Sequence, residues 1–137
     1  MNDDDLEEIR KKKIEALRKK MNGETETVVD VVMAVNDGEF QEKVIEKSRE
    51  TPVVVDFWAP WCQPCLMLSP SLERLAKDHE GRFILAKINI DQNRGVAQRY
   101  RIMSIPSVKM FKGGKMTGEF LGAIPEPHVR DWLNKNL

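Results

Sequence analysis

Two cysteines, Cys62 and Cys65, are the only ones in the chain, and they stand as Trp61-Cys62-Gln63-Pro64-Cys65 at the mouth of a helical stretch. On a helix, side chains three residues apart are neighbours at roughly 5–6 Å between Cβ atoms. A disulfide accepts Cα atoms roughly 4.4–6.8 Å apart, so this pair opens and closes with little backbone movement. The spacing points to a reversible redox switch. As the N-terminal member, Cys62 meets unpaired N–H groups and the positive end of a helix dipole, which favour a thiolate below the free pKa of about 8.5. Cys62 is the candidate nucleophile, and Cys65, one turn further in, the candidate resolving thiol.

Two other readings compete. A structural staple closing so short a loop removes little unfolded-state entropy. A zinc site needs about four ligands, and only His79 and His128 could join the cysteines, at a spacing that fits no common zinc pattern. No metal is expected.

Asp56 interrupts the apolar run Val53–Trp58. Burying a carboxylate is costly and raises its pKa, which makes Asp56 a candidate proton acceptor near neutrality. Lys87 lies in a second apolar run, and its field would oppose that rise.

These residues need a scaffold. The chain has 137 residues, 41% hydrophobic and 32% charged, with 22 acidic and 22 basic side chains. That length suits one domain with a real core. The balanced charge gives no field towards nucleic acid or anionic membrane. No apolar run reaches the ~20 residues of a membrane span, and the acidic start lacks a secretory pattern. A soluble, cytoplasmic protein is expected.

Residues 1–25 read as a charged extension, acidic first and basic last, helical and then linker. Residues 26–137 read as the domain. A strand is expected over 28–35 and a helix after Asn36-Asp37-Gly38, with Phe40, Val44 and Ile45 inward. Residues 53–58 are apolar on both faces, as in a central strand. A helix over 62–78 carries Leu66, Leu68, Leu72, Leu75 and Ala76 inward, with Pro70 inside it. A strand over 83–90 and a short helix over 95–100 come next. Residues 107–111 and 117–121 form a hairpin whose Gly113-Gly114 suits a type I′ turn. The closing helix, 125–137, turns Val129, Trp132 and Leu133 inward; Met33 and Met110 also read as core. This order predicts an α/β fold with a mixed sheet, parallel first and antiparallel last, and helices on both faces.

Residues 55–65, with 87–93, Ile105-Pro106-Ser107 and Phe111-Lys112-Gly113-Gly114, resemble the thioredoxin family over roughly 27–137. Gln63 departs from the usual Gly, and Leu66 from the Lys of many members. The resemblance implies the thioredoxin-like fold, with a mixed central sheet of about five strands flanked by helices. It implies a thiol–disulfide oxidoreductase that reduces protein disulfides and needs no cofactor beyond its own redox-active disulfide. Asp56 would help deprotonate Cys65, with Lys87 nearby. Pro106 would be a cis proline facing the cysteines, and the Ile105 backbone would pair with an extended client segment. Trp61, Pro64, Ile105, Gly122 and Ala123 would form an apolar docking collar. Implied partners are a thioredoxin reductase or equivalent donor and disulfide-containing clients, with the protein a monomer. Other readings are an oxidase or isomerase of the same fold, or a scaffold that binds through the N-terminal helix.

Overall fold

A computed structural model of the protein describes residues 30–137. The extension expected over 1–25, and the first residues of the strand expected at 28, lie outside the described residues. Val31–Leu137 make up one folded unit.

Five strands form one sheet: β1 (Val32–Ala34), β2 (Val53–Trp58), β3 (Ile84–Asn89), β4 (Ser107–Lys112) and β5 (Lys115–Leu121). Their spatial order is β1-β3-β2-β4-β5. β3 pairs in parallel with β1 and β2, whereas β4 runs antiparallel to both β2 and β5. The mixed sheet read from the sequence is therefore present, with β2 and β3 in its interior. Among the described residues four helical segments flank it: α1 (residues 37–49), α2 (Gln63–Asp78), α3 (Arg94–Arg99) and α4 (Glu126–Asn136).

Alternation along β2 divides the core. Val53, Val55 and Phe57 join Phe40, Val44, Ala86, Ile88, Val96 and Phe111 on the α1/α3 face. Val54 joins Leu68, Leu72, Leu75, Leu85, Val108, Met110, Val129 and Leu133 on the α2/α4 face. By the same period of two, Asp56 and Lys87 belong to the α2/α4 face.

Several elements differ from expectation. Strand β1 holds only three residues. α1 begins with the expected cap, Asn36 and Glu39 bonding each other's backbone N–H, but it winds as a π turn between two short 3₁₀ turns. Its buried residues Phe40, Val44 and Ser48 are each four apart, and a turn wider than 3.6 residues keeps such a row in line. Ser48 then ties this helix to the hairpin: its Oγ accepts from Gly114 N–H at 2.8 Å and its carbonyl from Gly113 N–H at 2.7 Å. Both glycines hold positive φ, 61° and 84°, as the expected turn requires.

On α2 the buried row is Cys65, Leu68, Ser69, Leu72, Leu75 and Ala76. Leu66, read as inward, is 44% exposed, because it lies about 100° from Cys65 on the wheel and outside that row. Trp132 and Met33 are only partly buried, packed at the margins of the core, whereas Met110 is fully inside.

Candidate functional site

Cys62 caps the N-terminus of α2 in extended conformation. Its backbone N–H donates to Ala59 O at 3.1 Å, closing the turn that follows β2. Cys62 and Cys65 are joined as a disulfide with Cα atoms 5.3 Å apart. The Cys65 backbone N–H donates to Cys62 Sγ at 3.2 Å, so the cap of this helix is a sulfur atom. Pro64 stands in the first turn, where no N–H partner is forfeited. Both cysteines are buried as residues, yet they are not equivalent. Cys62 lines a cleft of about 460 Å³ with Trp61, Gln63, Pro64, Ile90, Ile102, Met103, Ser104 and Ile105, and Cys65 does not.

The opposite wall of that cleft comes from the turn before β4. The Ile105–Pro106 peptide is cis, and the Ile105 carbonyl oxygen lies 3.8 Å from Cys62 Sγ. The Pro106 carbonyl accepts from Gly122 N–H at 2.9 Å, which holds the end of β5 against this turn. Ala123 comes next as an exposed residue. Trp61 is 66% exposed, and its indole N–H donates to Asp91 Oδ2 at 2.9 Å. Met103, 90% exposed, extends the apolar rim. Neither Asp91 nor Met103 stands out in the sequence: a polar strand end and a lone methionine carry no signal of their own.

Asp56 is 1% exposed, on the side of β2 that faces α2. Its Oδ2 accepts a hydrogen bond from Ser69 at 3.2 Å, and its Oδ1 has no partner among the described residues. Burial raises its pKa to about 6; the Ser69 bond and the Lys87 charge oppose the rise, and Glu73 adds to it. The competition between burial and Lys87, undecided from sequence, thus goes to burial. Lys87 sits beside Asp56 in the β2–β3 register, on an interior strand rather than an edge. Its ammonium is bound to Glu73 at 2.9 Å and lies 5.3 Å from the Trp58 ring centre. Sequence reasoning misses Ser69 and Glu73. Their only signal is spacing: they stand four and eight residues after Cys65, one row down the helix.

The two histidines are elsewhere. His79 is buried at the end of α2 with Nδ1 2.7 Å from Leu75 O and its ring against Phe83; His128 is exposed on α4. Among the described residues no group of three or more His, Cys, Asp or Glu is placed to hold a metal. No described helix is long and apolar enough to cross a membrane.

A sulfur at a helix N-terminus in an open cleft, a second sulfur one turn inside and a buried carboxylate bonded to the same helix through Ser69 form a set suited to thiol–disulfide exchange. Comparison with known proteins agrees. The thioredoxin family model matches residues 31–135. The chain is 42% identical over 109 residues to the chloroplastic M-type thioredoxin of Spinacia oleracea, covering 80% of this chain and 59% of that protein. It is 41% identical over 101 residues to a thioredoxin of Chlorobaculum thiosulfatiphilum, 74% of this chain and 92% of that protein. Thioredoxin 1 of a Nostoc species is 41% identical over 103 residues, 75% and 94% respectively.

Proposed function

The chain belongs to the thioredoxin family and is a thiol–disulfide oxidoreductase of the disulfide-reducing kind; we propose that Cys62 is its nucleophile, Cys65 its resolving thiol and Asp56 its proton acceptor. The observation that carries this division of labour is that, of the two cysteines, only Cys62 lines the cleft, while Cys65 shares the buried row of α2 with Ser69, which bonds Asp56.

In the reduced protein the Cys65 N–H and the open end of α2 stabilise a Cys62 thiolate. That thiolate attacks a client disulfide, forming a mixed disulfide and releasing one client sulfur. Asp56 takes the Cys65 proton, and the Cys65 thiolate attacks Cys62 Sγ. The Cys62–Cys65 bond forms, the bond to the client breaks, and its electron pair leaves on the second client sulfur, which takes a proton from solvent. The client has gained two electrons and the protein has lost two.

Trp61, Pro64, Ile105, Pro106, Gly122 and Ala123 serve as the docking collar, with the Ile105 carbonyl beside Cys62 available to an extended client backbone. Lys87 acts at a distance, through its field on Asp56. An electron donor of the thioredoxin reductase class reopens the disulfide after each cycle, and the work is placed in a reducing compartment such as the cytoplasm. Residues 1–25 are a charged extension of the catalytic domain, and the protein works as a monomer.

Cys62→Ser abolishes reduction of insulin disulfides, and Cys65→Ser accumulates a mixed disulfide with the client, visible by non-reducing electrophoresis and mass spectrometry. A Cys62→Ser protein that still reduces insulin overturns the assignment.

A further inference from the structure

A serine inside a helix ordinarily turns its hydroxyl back to the carbonyl four residues earlier or out to water. Ser69 does neither. It is buried, and its Oγ donates across the helix–sheet interface to Asp56 Oδ2 at 3.2 Å. The other oxygen of that carboxylate is sealed from solvent and has no partner among the described residues. Buried polar atoms almost always find a partner, so an unpaired one marks a place where the structure keeps an acceptor open. Cys65 and Ser69 stand four residues apart and both belong to the buried row of α2, so Asp56 meets the same helix face that presents the resolving thiol.

Among the described residues nothing else holds the carboxylate. Lys87, from β3, gives its ammonium to Glu73 of α2 at 2.9 Å. On this face β4 places Val108 and Met110, and α4 places Val129 and Leu133, none of which titrates.

We propose that Ser69 is a positioning residue of the reaction: by holding Oδ2 of Asp56 it assigns Oδ1 as the atom that takes the proton from Cys65 in the resolving step. The proposal rests on the reading of Asp56 as the proton acceptor. The proton passes from Cys65 Sγ to Asp56 Oδ1, and the thiolate left behind closes on Cys62 and expels the client thiolate. Ser69 gives up no proton in this cycle. Its hydroxyl donates to the charged form, and such a bond favours that form. The direction agrees with its opposition to the upward shift of Asp56.

The test compares wild type with Ser69→Ala, Ser69→Thr and Asp56→Asn. Two things are measured: the midpoint of the Asp56 carboxyl by carbon NMR in the oxidised protein, and the rate of the resolving step against pH by stopped flow. Ser69→Ala should raise the Asp56 midpoint by about one pH unit, the scale of a hydrogen bond to a charged group. The resolving step should slow up to about tenfold below that midpoint, and Ser69→Thr, which keeps the hydroxyl, should restore both. A Ser69→Ala protein whose melting temperature falls while its Asp56 midpoint stays put shows a structural role only and overturns the proposal. If Asp56→Asn is slow but Ser69→Ala leaves the rate profile unmoved, the proposal fails and the proton-acceptor reading stands. If Asp56→Asn resolves as fast as wild type over pH 6–8, both fail.

Discussion

Two buried charges lie on neighbouring strands and opposite faces of the sheet, and they are treated differently. Lys109 of β4 faces α1 and α3; its ammonium is bound at 2.6 Å by Glu119 of β5, a register partner across the hairpin. Asp56 of β2 faces α2 and α4, with one oxygen bonded to a serine and the other without a partner among the described residues. Lys109 has a counter-charge that itself reaches solvent, so the pair carries its own hydration. The cation whose field acts on Asp56, Lys87, is bound to Glu73. A paired buried charge belongs to the architecture. A half-satisfied one is free to change its protonation state in the course of a reaction.

The largest effect expected is at Asp56. Asp56→Asn keeps the shape and removes the proposed base, so the resolving step should fall by about a hundredfold or more at pH 7, the lower range for a lost general base. Stability should move the other way. A carboxyl whose pKa rises on folding, here from 3.8 to about 6, holds its proton more tightly in the folded state. It costs nothing below the unfolded value, and the cost grows through that interval. Above pH 6 it reaches about 3 kcal/mol. Urea unfolding at pH 8 should therefore show Asp56→Asn more stable than wild type by up to that amount, with the gain vanishing near pH 4. A variant that is slow but no more stable at pH 8 would mean that the carboxylate is better satisfied than its geometry shows.

At Lys109 the signs reverse. Glu119→Ala leaves a buried ammonium without its partner, and the protein should lose about 1–3 kcal/mol, the penalty for an unsatisfied buried group. Its reductase rate per folded molecule should match wild type, because neither member of the pair belongs to the catalytic set. Parallel urea melts and insulin-reduction assays check both halves. A loss of rate without a loss of stability would erase the contrast between the two faces.

The same contrast marks what can be seen from sequence. Asp56 is legible because a carboxylate inside Val53–Trp58 violates the apolar pattern of its own segment. Lys109 is not: its segment reads as an ordinary strand, and its burial beside Glu119 comes from hairpin register, a long-range fact. The Gly113-Gly114 turn and the cap at Asn36 are local signals, and the structure has both. Leu66 misleads because a run of apolar residues at the start of a helix does not say which of them face inward. Ser69 and Glu73 are invisible for a related reason. A serine and a glutamate in mid-helix are unremarkable until β2 and β3 bring Asp56 and Lys87 against them.

The smallest effect separates the partners that surround Asp56. Glu73 contributes a negative charge that favours the protonated carboxyl, and it also holds the Lys87 ammonium at 2.9 Å. Glu73→Gln removes the charge and loosens the hold, and each change alone favours the Asp56 carboxylate. The Asp56 midpoint should therefore fall below about 6, by less than one pH unit, because both groups reach solvent and water screens their fields. The pH at which the resolving step becomes fast should move down by the same amount, with the plateau rate little changed. An upward shift would show that Glu73 acts chiefly by fixing Lys87 within range of Asp56, so that the ion pair supports the carboxylate instead of withholding its cation.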